Sequence, residues 1–177
     1  MTWLRPTMYP IPVPSPGRLT TMPRPRGGDW LEDEMLALRR AGVDVLVCLL
    51  TSVESDELAL SDEPAAASRA GMEFHAFPIV DLGVPDPEQV RPLLDILTSR
   101  LDDGEHVAVH CRAGIGRSPL IAAALLVRPG SPIEQAWQVI AGARGVSVPE
   151  TDEQRRWLDT HHAHRGPTEP GTPQEKT

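Results

Sequence analysis

The chain has 177 residues, 40% apolar and 24% charged, with a formal net charge of −8, which fits one compact α/β or α+β domain rather than two. That acidity argues against a nucleic-acid binder led by phosphate attraction, and no apolar run reaches the roughly 20 residues that a membrane-spanning helix needs. No basic segment leads into an apolar stretch at the N-terminus, and the two cysteines, Cys48 and Cys111, cannot form a disulfide framework, so a reducing cytoplasm is the expected setting.

Residues 1–28 hold seven prolines, four arginines and no acidic residue. The first eight are expected to be flexible. From Tyr9 onward, Tyr9, Ile11 and Val13 alternate with Pro and Ser, and Pro16-Gly17 offers a turn before Arg18-Leu19-Thr20-Thr21. This pattern predicts an edge strand and a short hairpin, where proline is tolerated. Asp29 is the predicted cap of a helix carrying Leu31, Met35 and Leu38 on one face and ending at Gly42.

Val43 to Leu50 is a β-branched and aliphatic run, as expected of a strand buried on both faces. A short helix over 63–71 and a strand over Glu73 to Ile79 follow. Val90, Leu93, Leu94, Leu97 and Leu101 mark one side of an amphipathic helix. His106 to His110 reads as a strand, 117–127 as an almost wholly apolar core helix, and 131–142 and 150–163 as two further helices. Trp137, spaced with Ile133 and Ile140, is expected in the core. Arg165 to Thr177 has three prolines and no large apolar side chain, which predicts a disordered tail. The expected domain is therefore 9–164, with a mixed, mostly parallel central sheet flanked by helices.

The chemistry lies in His110-Cys111-Arg112-Ala113-Gly114-Ile115-Gly116-Arg117-Ser118. A cysteine ends a strand, a five-residue loop with two glycines follows, and an arginine opens a helix. Glycines let backbone N–H groups converge on an anion, and the helix N-terminus adds unpaired donors and a favourable dipole. The same field favours a thiolate at Cys111. Arg117 has the planar fork needed to hold two phosphoryl oxygens during attack on phosphorus. The competing interpretation is a buried cysteine in a glycine-rich strand-to-helix turn.

This segment resembles the HCxxGxxR[ST] phosphate loop of the cysteine-based protein tyrosine phosphatases, and the chain is most similar to the small atypical dual-specificity members. Pro16-Gly17-Arg18-Leu19 with Pro23-Arg24, Ala41-Gly42-Val43, and Arg144-Gly145 through Pro149-Glu150-Thr151 to Gln154 extend the resemblance from about Tyr9 to His161. It implies a tyrosine/dual-specificity phosphatase-like fold and hydrolysis of phosphotyrosine, and of phosphoserine or phosphothreonine, through a cysteinyl-phosphate. No metal or cofactor is implied. The implied partner is a phosphorylated protein or small phosphomonoester; oligomeric state is left open.

The resemblance also implies roles. Cys111 is the nucleophile, Arg117 and the loop from Arg112 through Ala113, Gly114, Ile115 and Gly116 bind the phosphoryl group, and Ser118 supports the departing thiolate. The expected general acid is Asp81, 30 residues before Cys111, although the Trp-Pro pair that precedes this residue in tyrosine-specific members is Ile79-Val80 here. Asp86 is its rival, with a helix cap as its other reading. Glu150 is an accessory candidate or a helix-start carboxylate, with Gln154 an open candidate for the same side. His110 either fixes the loop or simply packs at the strand end. Cys48 is expected as a core residue, with a reversible disulfide to Cys111 as the alternative. His161, His162 and His164 lack a carboxylate or cysteine at ligand spacing, which favours a solvated helix end.

Two other functions stay open. Arg112 beside the loop would suit a non-protein polyanion such as an inositol phosphate, and a non-catalytic phosphoresidue-binding module is the third reading. Rhodanese-like sulfurtransferases and arsenate reductases fit less well, given the Gly-x-Gly-Arg-Ser ending and the late position of Cys111.

Overall fold

The computed structural model describes residues 5–162. The expected tail at 165–177 and His164 lie outside them. Among the described residues, five strands form one sheet in the order β1-β2-β5-β3-β4. These are β1 (Tyr9–Ile11), β2 (Arg18–Met22), β3 (Val45–Cys48), β4 (Glu73–Ala76) and β5 (His106–His110). Only β1 runs antiparallel, as the hairpin partner of β2, so the sheet is mixed and mostly parallel as expected.

The helices are α1 (Leu31–Arg40), α2 (Ser52–Glu57), α3 (Glu63–Arg69), α4 (Pro87–Asp102), α5 (Arg117–Val127), α6 (Ile133–Arg144) and α7 (Asp152–His162). Helices α4 to α7 cover one face of the sheet, and α1 and α3 cover the other. The alternation of strand side chains decides what each face receives. Val107, Val109 and Cys111 point to the α4–α7 side with Val45, Val47 and Leu49. Ala108 points to the α1/α3 side with Leu46, Cys48 and Leu50. Helix α5 is buried along nearly its whole length, and Trp137 is a core residue as expected.

Several expectations need correction. Asp29 does not cap α1. It lies inside a 3-10 turn, Gly28–Trp30, and Trp30 is the N-cap of α1, with no side-chain cap. The central strand is shorter than the apolar run, Val45–Cys48 rather than Val43 to Leu50, although Val43, Leu49 and Leu50 are equally buried. Strand β4 stops at Ala76 instead of Ile79. Helix α2 was not foreseen at all.

Gly17 fixes how the hairpin meets the rest of the sheet. Its N–H donates to the Leu101 carbonyl at 2.8 Å, and a Cβ there would sit 2.5 Å from that oxygen and 2.6 Å from the Glu105 oxygen. Both obstacles are backbone, so neither can rotate away. Gly17→Ala is therefore expected to cost about 2 kcal/mol in urea unfolding, because overpacking forces backbone shifts. An unchanged midpoint would show that the α4–β5 corner yields easily.

Candidate active site

The parallel pairing of β5 with β2 and β3 brings the C-terminal strand ends together, where open α/β sheets place their ligands. The loop from Cys111 to Gly116 leaves β5 there and enters α5 at Arg117. Gly114 has φ +73, and a Cβ on it would stand 3.0 Å from the backbone of Met22 and Pro23. A side chain is therefore excluded both by conformation and by space. The loop is held from outside as well. The Arg24 N–H donates to the Arg112 carbonyl at 3.1 Å. Arg144 donates to the Gly114 and Ala113 carbonyls at 3.1 and 3.2 Å, while its guanidinium lies over the Tyr9 ring.

Cys111 is buried at the floor of this loop. Its sulfur accepts from the Gly114 N–H at 3.3 Å and lies 3.3 Å from the Ser118 hydroxyl. Arg117 is only 2% exposed, yet its fork is fully engaged. Nη1 donates to Glu54 Oε2 and the Ile79 carbonyl, both at 2.8 Å. Nη2 donates to Glu54 Oε1 at 2.9 Å and to Asp81 Oδ1 at 3.0 Å. The expected acid and the expected phosphate-binding arginine are thus in direct contact.

Glu54 is the site residue that sequence reasoning missed. Thr51 caps α2, its hydroxyl accepting from the Glu54 N–H while the Glu54 carboxylate accepts from the Thr51 N–H. This capping box aims the carboxylate at Arg117. A Thr-x-x-Glu sequence directly after a buried strand was the available signal. Hydrogen bonds from Arg117, outweighing burial, hold the Glu54 carboxyl down at about 2. Burial opposes the charge on Arg117, but Glu54 and the neighbouring anions raise its affinity for the proton further.

Asp81 lies in a loop that α7 steadies. Gln154, fully buried, donates to the Gly83 carbonyl at 3.2 Å, and Trp157 donates to the Pro85 carbonyl at 2.8 Å. Leu82 takes φ +64 within this loop. Asp86 accepts from the Glu88 and Gln89 N–H groups at 2.9 Å, so it is the cap of α4. Glu150 precedes Thr151, which caps α7 through a reciprocal bond pair with Gln154. It is therefore not a first-turn helix carboxylate. Its Oε2 stands 2.9 Å from where a Cβ on Gly116 would lie, against the loop itself.

Other candidates sit elsewhere. Arg112 points outward and donates to Glu54 at 3.3 Å and to Glu57 at 3.4 Å. Ala113 is exposed, Gly116 is buried, and Ile115 packs half-buried against the α4–α7 core. His110 lies behind the loop, its Nε2 2.8 Å from Glu63 Oε1 and its Nδ1 3.3 Å from the Cys111 carbonyl. Burial disfavours its charge, but Glu63 and the Cys48 sulfur outweigh that and raise its pKa well above the ordinary histidine value. Cys48 and Cys111 belong to opposite core layers, and both are free thiols. His161 packs its ring on Trp157.

Residues 20–131 match a family model, Tc-R-P, described as a polymorphic toxin system DSP-PTPase phosphatase. The chain belongs to that family. It is similar to cyclin-dependent kinase inhibitor 3 of Homo sapiens, 28% identical over 123 residues. The alignment covers 68% of this chain and 58% of that protein, so the chain spans under two thirds of the relative's length. The fold is that of kinase associated phosphatase, with a TM-score of 0.79 at 21% identity over 91% of this chain and 98% of the other. Tk-PTP in its active form gives a TM-score of 0.71 at 27% identity over 84% and 93%.

The Glu54–Arg117 pair carries a sign that can be checked. The folded carboxyl lies below its ordinary value of 4.5, so its stabilisation is complete above that pH and is lost as pH falls toward about 2. Glu54→Ala strands a buried guanidinium and is expected to cost about 3 kcal/mol in urea unfolding at pH 7. It should also flatten the loss of stability between those two pH values. Equal stability of the variant and wild type at pH 7 would contradict this role.

Proposed function

We propose that this chain hydrolyses phosphomonoesters on phosphoproteins through a cysteinyl-phosphate, within a catalytic domain spanning 9–164. The observation that carries the reading is the joint placement of Cys111, Ser118, the loop amides and the Glu54-clamped Arg117 fork around one point. A phosphoryl dianion entering the loop competes with Asp81 for Nη2 of Arg117. Asp81, with its side chain 54% exposed, has room to swing toward the leaving group. The Cys111 thiolate attacks phosphorus, the P–O bond to the leaving group breaks, and Asp81 delivers its proton to that oxygen. Asp81 then accepts a proton from the water that displaces the thiolate, with Ser118 donating to the departing sulfur. The loop amides and Arg117 hold the equatorial oxygens in both steps.

Phosphotyrosine is the first substrate class, with phosphoserine and phosphothreonine served by the same loop. The relatives bearing tyrosine phosphatase and kinase associated phosphatase names support this class. Arg112 favours it over an inositol polyphosphate, because its charge is already met by Glu54 and Glu57. The family's description places such phosphatases in polymorphic toxin systems, and a phosphoprotein of the opposing cell or system is the proposed target. A reducing compartment such as cytoplasm suits the thiolate chemistry. Among the described residues no helix is long and apolar enough to cross a membrane.

Turnover of p-nitrophenyl phosphate in EDTA tests the mechanism. Cys111→Ser is expected to abolish it, and Asp81→Asn to lower kcat roughly 100-fold, the scale of a lost general acid. If Glu150→Gln has the larger effect, the acid role moves to Glu150. Turnover that survives Cys111→Ser, or stops on chelation, would overturn the proposal.

A further inference from the structure

Directly behind the phosphate loop, on the α1/α3 side of the sheet, lies a second group of reactive side chains that the proposed phosphatase reaction does not use. Cys48, the last residue of β3, pairs in register with His110, the last residue of β5. Parallel neighbours in register point the same way, so both side chains meet Glu63 at the start of α3. One ligand atom from each of the three lies within 4.8 Å of the others, and all three residues are buried.

We propose that Cys48, Glu63 and His110 form a binding site for a divalent zinc-class ion, separate from catalysis. The donor set is one thiolate, one imidazole nitrogen and one carboxylate oxygen, the combination suited to zinc, with a fourth position for water. Glu63 is 1% exposed, and its Oε2 has no hydrogen-bond partner, a buried acceptor that a cation would satisfy. The outer partner is in place too. His110 directs Nδ1 at the Cys111 carbonyl, the type of backbone contact that orients metal-bound histidines through their other nitrogen.

Charge and space agree with this occupant. Zinc with one thiolate, one carboxylate and one neutral imidazole sums to zero, after release of the Cys48 thiol proton and the proton shared between His110 and Glu63. The 2.8 Å separation of His110 Nε2 and Glu63 Oε1 must open to about 3.3 Å, the spacing of two tetrahedral ligands at roughly 2 Å from zinc. Entry is available, because Cys48 and Glu63 both line a surface cleft with Ser55, Asp56, Phe74 and Pro78. A bound ion would tie β3, α3 and the residue before Cys111 together, and would raise the unfolding temperature by mass action.

The test uses the full chain carrying Cys111→Ser, which leaves Cys48 as the only thiol. Titration with zinc alone is expected to show one tight site, and cobalt in its place a near-ultraviolet thiolate-to-cobalt band. That band separates the site from ions held by His161, His162 or His164. Glu63→Gln in the same background should weaken zinc binding at least tenfold, with circular dichroism confirming that the variant is folded. Three results would overturn the proposal: no saturable binding, a cobalt band seen in wild type but lost with Cys111→Ser, or affinity unaltered by Glu63→Gln.

Discussion

A guanidinium sealed from water must find acceptors for its N–H groups, and the layout around Arg117 follows from that demand. The arginine opens α5 under the 111–116 loop, where only 2% of it is exposed. Glu54 answers from α2 with both carboxylate oxygens, the Ile79 carbonyl answers from the stretch after β4, and Asp81 completes the set. Three connections that share no helix or strand are thereby drawn to the ends of β3, β4 and β5. A paired, bidentate fork has a fixed plane before any substrate arrives. Pre-orientation of that kind is what electrostatic stabilisation of a transferring phosphoryl group requires.

The two-residue period of the strands adds a second constraint. His110 and Cys111 are neighbours in sequence, yet they serve opposite faces of the sheet. Cys111 joins the α4–α7 layer and the 111–116 loop, whereas His110 joins Cys48 and Glu63 behind it. The same alternation separates the two cysteines into different layers, so a Cys48–Cys111 disulfide would require one strand end to turn over. Cys48 therefore has His110 and Glu63 as its chemical neighbours rather than Cys111.

The parts that were legible from sequence are those with strong local signals. The apolar run at α5, the periodic leucines of α4 and the glycine-spaced loop each specify their element without help from distant residues. Helix α2 was invisible because Ser52–Glu57 has a single large apolar residue, Val53, which is exposed. Periodicity cannot register a helix held by a capping box and an ion pair to a residue 63 positions away. Asp29 misled for a related reason: Gly27-Gly28 permits a 3-10 turn that moves the true helix start one step on. Asp81 and Asp86 compete for one role in the sequence; in the structure the first lies on Arg117 and the second caps α4, placements set by distant packing that the sequence does not print. Glu63 carries no local signal, since its partner lies 47 residues away.

Anion binding to the resting protein tests whether Glu54 sets the plane of the Arg117 fork. Isothermal titration of tungstate, an inert phosphoryl mimic, into wild type and Glu54→Gln at pH 7 reads that directly. One site competitive with phosphate is predicted in wild type, with affinity reduced roughly tenfold or more, about 1.4 kcal/mol, in the folded variant. Equal affinity in the two proteins would contradict the idea that this buried pair organises the site.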